Sequence, residues 1–315
     1  MNSLFVDATS TSAAAAPLPV HLTVDAGEHV NVLPAPPALS GLVACIVRRE
    51  VRGSEQAASV QGTVPANAYA CLNLVAGTGQ VRLGASGACL PRAFVTGPFT
   101  APLSTRAQAP LRSLSIVLQP WLLSHWFGLQ PARMVNALQD LEAREAAQLL
   151  QPRTLSSLLA SVDQPELLTA ALMALAVRSD PFEIEAAEAA RLVCAMAHGR
   201  SVSLAAEQAG LSERHFMRRF EALIGLNPVA WRRIKRFESA LAQIANEPAS
   251  RSQLGQIAIE SGYADQSHMT REFRTITGAT PSGLRSGIRA DAPGLWAFKP
   301  AGHPGHVMHA PANPA

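Results

Sequence analysis

Arg218-Arg219-Phe220-Glu221-Ala222-Leu223-Ile224-Gly225-Leu226-Asn227-Pro228 and Arg271-Glu272-Phe273-Arg274-Thr275-Ile276-Thr277-Gly278-Ala279-Thr280-Pro281 share one spelling, Arg-x-Phe-x4-Gly-x2-Pro, 53 residues apart. Repetition at such a spacing means one structural unit used twice. Each unit reads as an amphipathic helix stopped by glycine and then proline. Ser212 and Asp265 are the N-cap residues, because their short oxygen-bearing side chains satisfy the first free backbone N–H groups. Counted at helical spacing, Phe216, Phe220 and Leu223 form a buried stripe in the first copy, and Arg214, Met217, Arg218 and Glu221 line its opposite side. In the second copy Met269, Phe273 and Ile276 take the same buried offsets, with Ser267, Thr270, Arg271 and Arg274 outward. A short apolar helix precedes each, with a small residue, Ala206 or Ala258, that permits close approach. The pattern predicts two helix-turn-helix units.

Between the copies, Pro228 to about Asn246 predicts one further helix, with Ala230, Ile234, Phe237, Leu241 and Ile244 on its apolar side. Such a helix is about 28 Å long at 1.5 Å per residue, close to the ~34 Å that separates successive major-groove turns on one face of a duplex. Charge follows the same division. Residues 191–290 hold 14 Arg or Lys against 8 Asp or Glu, a net of +6, whereas residues 1–190 hold 11 against 14, a net of −3. Positive charge is concentrated where polyanionic DNA would lie.

The ordered set Gly210-Leu211-Ser212, Arg218-x-Phe220, Gly225-x2-Pro228, Arg236-x3-Ala240, Ile257-Ala258, Gly262-Tyr263-x2-Gln266-Ser267, Arg271-x-Phe273 and Gly278-x2-Pro281-x3-Arg285 resembles the DNA-binding domain of the AraC/XylS family of bacterial transcription regulators, over residues 186–286. The resemblance implies a monomeric seven-helix module with two recognition helices on adjacent major-groove segments. Carried over by position, Arg214, Met217 and Arg218 would face bases from the first recognition helix, and Gln266, Ser267, His268, Thr270 and Arg271 from the second. Arg232 and Arg236 would touch phosphates from the connecting helix. Arginine pairs bidentately with guanine O6 and N7, so Arg218 and Arg271 are the principal readout candidates, each worth about 1–3 kcal/mol of discrimination. Gln266 suits adenine or, at the helix start, a phosphate; Thr270 offers a methyl to thymine; Met217 offers apolar contact only. His268 would donate one hydrogen bond when neutral and add charge when protonated. The competing reading for each arginine is a solvated helix face or an internal ion pair.

The fold expectation is α+β: a strand-rich, barrel-like N-terminal domain with following helices, then an all-α C-terminal domain with two helix-turn-helix motifs. Apolar runs at Leu42–Val47, Ala70–Val75, Gln80–Leu83, Ala93–Thr96 and Ser113–Leu118, separated by Gly, Pro, Ser and Asn, read as strands. After Pro120 the texture turns helical, at Trp121–Phe127, Ala132–Leu150 and Thr154–Arg178, up to a boundary at Asp180-Pro181. The expected organisation is a disordered lead (1–18), a strand-rich sensor-like domain (19–120), a helical connector (121–180), the DNA-binding domain (181–290) and a disordered tail (291–315). This order is similar to the sensor halves of many AraC-type regulators, and Phe94-Val95-Thr96-Gly97-Pro98-Phe99-Thr100 with Asn73-Leu74-Val75 resembles one subgroup of them. In the family the helices after the barrel often dimerise; here Leu149, Leu150, Leu155, Leu158 and Leu159 read either as such a seam or as a helix packed on the sheet.

With nearly half of its 315 residues apolar the chain fills two ordinary cores. It holds no apolar run of the roughly 18–20 residues that a membrane span needs. Its start lacks the basic flank of a secretory signal. Cys45, Cys71, Cys89 and Cys194 are well separated, which suits reduced thiols in a bacterial cytoplasm and opposes a zinc knuckle. An enzyme is not expected: there is no paired-histidine metal motif, no G-x-S-x-G and no clustered cysteine set. His303, His306 and His309 in the Pro/Gly-rich tail are read as disordered sequence. Neither cofactor nor metal is expected. The partners are double-stranded DNA, an unidentified small-molecule effector at the N-terminal domain, RNA polymerase and a second copy of the chain. The leading function is a sequence-specific, effector-modulated transcription regulator, with activation or repression left open. The alternatives are a thiol-based redox or electrophile sensor acting through Cys45, Cys71 or Cys89, and an enzyme fused to a DNA-binding module.

Overall fold

The computed structural model describes residues 4–5, 27–53, 59–84, 87–143, 150–176, 182–196, 200–246 and 253–289. Of the lead expected to be disordered, Leu4–Phe5 is instead a short strand paired with Ala137 and Leu138; the rest of the lead, the tail with its histidines, and Asp180-Pro181 fall outside these residues.

The fold is α+β. Its strands are β1 (Leu4–Phe5), β2 (Gly27–Pro34), β3 (Val43–Arg52), β4 (Ser59–Val64), β5 (Ala70–Ala76), β6 (Val81–Leu83), β7 (Ala88–Cys89), β8 (Ala93–Thr96), β9 (Leu103–Gln108), β10 (Leu111–Leu118) and β11 (Ala137–Asp140). They form two antiparallel sheets, ordered β1-β11-β8-β5-β10-β3-β2 and β4-β9-β6-β7. The larger sheet is centred on β5, β10 and β3, with Ile116 opposite both Leu72 and Ile46. Strand periodicity sorts its residues. Leu72, Leu74, Leu114 and Ile116 are buried in the core that the helices share, while Cys71, Asn73, Val75, Ser113, Ser115 and Val117 line a cavity that Val64, Leu103 and Thr105 of the smaller sheet also line.

The helices are α1 (Leu122–Phe127), α2 (Pro152–Ala160), α3 (Glu166–Ala176), α4 (Phe182–Met196), α5 (Val202–Gln208), α6 (Glu213–Ile224), α7 (Pro228–Asn246), α8 (Gln253–Glu260), α9 (Gln266–Thr277) and α10 (Pro281–Arg289). One apolar cluster runs without a break from Leu72 and Ile116 of the sheet through Trp126 of α1 and Leu172 of α3 to Phe216, Phe237 and Phe273. Among the described residues no helix is long and apolar enough to cross a membrane.

Several expectations need correction. Ala132–Leu150 is not a helix: Pro131–Arg133 makes a single 3-10 turn, Asn136 turns the chain at φ 55°, and Ala137–Asp140 becomes a strand. Its Leu138 pairs with Thr96, so the demand of β8 for a ladder partner overrides helix propensity. Residues 144–149 lie outside the described set. Thr154–Arg178 is two helices, divided where Pro165, which has no N–H to donate, precedes α3. Of the leucines read either as a dimer seam or as a helix packed on the sheet, Leu150 and Leu158 are buried in the chain's own core and Leu155 and Leu159 pack against it, while Leu149 lies outside the described residues.

Candidate nucleic-acid interface

The two helix-turn-helix units share the same turn bonds and the same cap bond, although the second turn is one residue longer. In the first, Gly210 turns at φ 67°, its N–H donates to Glu207 O at 2.9 Å, and the Leu211 N–H donates to Ala206 O at 2.9 Å. In the second, Gly262 turns at φ 82°, its N–H donates to Ile259 O at 2.9 Å, and the Tyr263 N–H donates to Ala258 O at 2.8 Å. Ala206 and Ala258 are both buried where the paired helices meet. Ser212 Oγ accepts from the His215 N–H at 3.4 Å to start α6, and Asp265 Oδ1 accepts from the His268 N–H at 2.6 Å to start α9. Gly225 and Gly278 close the helices at positive φ.

The inner faces lock both helices to α7. Phe220 meets Trp231 edge-on at 5.8 Å, and Phe273 meets Phe237 edge-on at 4.8 Å. All of Phe216, Phe220, Leu223, Met269, Phe273 and Ile276 are buried. Outward, Arg214, Met217 and Arg218 are exposed on α6, as are Gln266, Ser267, Arg271 and Arg274 on α9.

The basic residues divide into two sets that sequence does not distinguish. Among the described residues Arg214, Arg218, Arg271 and Arg274 make no ion pair and no side-chain hydrogen bond, and their guanidinium groups stand on the outer faces. Arg219, Arg232, Arg233, Lys235 and Arg236 are all engaged within the protein. Arg219 Nε donates to Glu188 of α4 at 2.9 Å, a bond that lowers the carboxyl below its usual 4.5. Arg232 Nη1 donates to the Arg200 carbonyl at 2.9 Å. Glu272, buried on α9, receives Arg233 Nε at 3.2 Å and, from Arg236, Nη2 at 2.5 Å and Nε at 3.2 Å. Arg236 also donates to Gly262 O and lies 4.6 Å over the Tyr263 ring. The expectation of a phosphate-contacting Arg236 therefore meets a different geometry: its fork fastens α9 to α7. Arg232 is likewise tied to backbone, through one of its nitrogens.

His268 and Thr270 also turn inward in part. His268 Nδ1 accepts from the Ala264 N–H at 3.3 Å and its ring stands edge-on to Tyr263 at 5.4 Å. That bond and the ring contact hold the imidazole against the start of its own helix. The Thr270 hydroxyl donates to Gln266 O at 2.8 Å, a bond that a helical threonine makes to its own backbone.

A second candidate site lies in the strand-rich half. A cavity of about 110 Å³ opens between the sheets, lined by Val47, Val75, Phe94, Leu103 and Val117 with Arg49, Asn73 and Ser115 as polar members. Ser115 Oγ donates to Asn73 Oδ1 at 2.8 Å, and Arg49 Nε pairs with Glu28 at 2.7 Å. Tyr69, at the same wall, receives the Lys235 ammonium of α7 on its hydroxyl at 2.9 Å. Burial by itself would lower Lys235, but Glu238 and Tyr69 together outweigh it and hold the ammonium charged. Burial pushes the thiol of Cys45 up to about 11 and that of Cys71 up to about 12, which leaves both protonated and poorly nucleophilic. Cys89 is exposed. Among the described residues no group of three or more His, Cys, Asp or Glu is placed to hold a metal ion.

Two closely similar helix-turn-helix units on one spacer helix, each with unpaired arginines on its outer face, define a DNA-binding transcription regulator. Residues 205–287 match the family model of the helix-turn-helix domain, and the domain they form is of the AraC type. Among solved structures the chain is similar to the DNA-binding domain of AdpA, a global transcriptional factor, in complex with a target DNA, at 27% identity over 36% of this chain and 96% of that one, with a TM-score of 0.29. It is also similar to ToxT from Vibrio cholerae, at 9% identity over 84% of this chain and 98% of that one, with a TM-score of 0.39, and to ToxT bound to an unsaturated fatty acid, at 9% over 83% and 95%, with a TM-score of 0.37. No curated protein matches the chain.

Proposed function

We propose that the chain binds specific DNA sites by inserting α6 and α9 into successive major-groove segments, with Arg218 and Arg271 reading bases and Arg214 and Arg274 adding contacts on the same faces. The observation that carries this reading is the division of the cations: on the two recognition helices the outer arginines are unpaired among the described residues, while Arg219, on the side of α6 toward α4, is held by Glu188, and Arg233 and Arg236 of the spacer are held by Glu272. Exposed arginines without a protein partner are available to guanine edges or phosphates. Gln266, Ser267 and Met217 complete the exposed surface. We assign His268 and Thr270 secondary parts, since each is engaged in its own helix start.

The cavity between the sheets is the proposed effector site. Its apolar walls with Arg49, Asn73 and Ser115 suit a small, mainly apolar molecule with one hydrogen-bonding or anionic end. The organisation proposed is a sensor half, a helical connector and a regulator half that acts on transcription in a bacterial cytoplasm.

The test is a selected DNA site probed by footprinting at several salt concentrations. Arg218→Ala and Arg271→Ala should each weaken the specific site by about 1–3 kcal/mol and relax preference at one base position. Footprints of the double variant indistinguishable from wild type would remove the assignment.

A further inference from the structure

Both recognition helices end against the strand-rich half. Gly225, which closes α6, lies so close to the 3-10 turn that a Cβ added there would stand 2.8 Å from Pro131 O and 3.4 Å from Val135 Cγ2. At the end of α9 the Ile276 carbonyl is one of the acceptors that a helix C-terminus leaves without an intrahelical partner. It accepts from the Ala66 N–H, in the loop between β4 and β5, at 3.0 Å.

These two supports, residues 65–69 and 131–136, are joined through a third segment. Between β8 and β9, Gly97-Pro98-Phe99-Thr100 exchanges both backbone bonds with Asn67: the Asn67 N–H donates to Phe99 O at 2.9 Å and the Phe99 N–H to Asn67 O at 3.0 Å. On its other side the Asn136 N–H donates to Pro98 O at 2.9 Å. The Asn136 side chain then grips Thr100 twice, accepting its N–H on Oδ1 at 2.8 Å and donating Nδ2 to its hydroxyl at 2.8 Å. Gly97 permits this approach, because a Cβ there would lie 2.3 Å from Met134 O. Asn136 sits at φ 55°, a conformation that asparagine tolerates better than most residues.

We propose that Gly97–Thr100 is a positioning strap for the recognition helices. It ties the loop that caps α9 to the loop that supports the end of α6, with Asn136 as the positioning residue at the joint. The relation between the two helices is then set from two sides, by α7 within the helical domain and by the strap from outside it. Packing alone would hold each helix end separately. Hydrogen bonds on both edges of a four-residue segment make a displacement at one support felt at the other. Asn67 and Phe99 also line the cavity between the sheets, so a molecule bound there touches the strap directly. That last consequence rests on the effector reading above; the strap does not.

The experiment is amide hydrogen exchange on the full-length chain in wild type, Asn136→Gly and Asn136→Asp. Glycine removes the side chain without straining the positive φ, and aspartate keeps the acceptor for the Thr100 N–H. Asn136→Gly should speed exchange at Thr100 and, across the strap, raise exchange of the Ala66 amide by about tenfold, with Asn136→Asp returning Ala66 to within about twofold of wild type. Faster exchange at Thr100 with Ala66 unchanged in Asn136→Gly would overturn the proposal, and so would an aspartate variant that behaves like the glycine one. If Asn136→Gly does not fold, Thr100→Val, which removes only the hydroxyl, must show the same direction at Ala66 with a smaller size, and no change there overturns it equally. Failure of the wild-type chain to footprint DNA would count against the function proposed above and leave the exchange result standing.

Discussion

Replacing Arg236 by alanine separates an anchoring role from a phosphate-contacting one. The guanidinium gives two charge-assisted bonds to Glu272, one bond to Gly262 O and a cation–π contact with Tyr263. Side-chain exposures are 23% for Arg236 and 10% for Glu272, so the pair is largely but not wholly desolvated. Removing one partner of a fully buried pair costs about 3–5 kcal/mol, because the remaining charge is stranded. Here Arg233 still reaches Glu272 at 3.2 Å and is itself 37% exposed, which softens the loss. The expected destabilisation is therefore about 2–3 kcal/mol.

The assay is urea unfolding of the full chain, followed by helical circular dichroism, for Arg236→Ala, Glu272→Gln and the double variant, beside DNA affinity measured against salt. The double-mutant cycle should give a coupling of about 1.5–3 kcal/mol. The slope of log affinity against log salt should stay within error of wild type, whereas loss of a phosphate contact lowers it by about 0.9. Unchanged stability together with a slope reduced by that amount would refute the reasoning and restore Arg236 to the DNA backbone.

Three further outcomes follow from particular contacts. Phe273→Ala, which empties a site at 0% exposure against Phe237, should cost about 3–5 kcal/mol in the same unfolding assay. In the folded chain an alkylating reagent at neutral pH should modify exposed Cys89 well before buried Cys45 and half-buried Cys71, whose raised thiols stay protonated; equal rates would contradict the difference in exposure and acidity. The Glu188–Arg219 link has a depressed carboxyl, so its contribution is present above the usual 4.5 and is lost as pH falls through the lowered folded value. Thermal midpoints of wild type and Glu188→Gln should thus differ by a constant amount at neutral pH and converge in acid, and a gap that persisted at the lowest pH would count against this link.

The helical half was legible in the sequence because its signals are local. Ser212, Asp265, Gly225 and Gly278 mark helix ends through short-range bonds, and the phenylalanines recur at helical spacing, so α6, α7 and α9 fall where the pattern places them. The strand-rich half was legible only in its apolar centre. Gly27–Pro34 alternates half-buried and exposed residues at the edge of the sheet, and Leu103–Gln108 carries Ser, Thr, Arg and Gln, so neither offers the apolar run by which a strand is recognised. Ala137–Asp140 is a strand by virtue of its partner 42 to 46 positions earlier in the chain, and no local pattern announces that. The fates of Arg232 and Arg236 were hidden for the same reason: helical periodicity says which side of α7 they occupy, but only the tertiary arrangement brings Glu272 and the Arg200 carbonyl to that side.

That distinction alters how the charge of the helical half should be understood. A net of +6 over residues 191–290 suggests a diffusely basic domain, yet Lys235 is matched by Glu238, and Arg233 and Arg236 share Glu272. Glu238 offsets Lys235 at short range, Glu272 offsets one of the two arginine charges it holds, and partial burial keeps salt from substituting for the partner. Arg214 and Arg218 on one helix and Arg271 and Arg274 on the other have no such partner among the described residues. Positive charge that no ion pair offsets therefore stands on the outer faces of the two helices that the repeated turn presents. On the proposed reading, a duplex that meets these two faces meets arginines that no acidic side chain of the described residues offsets.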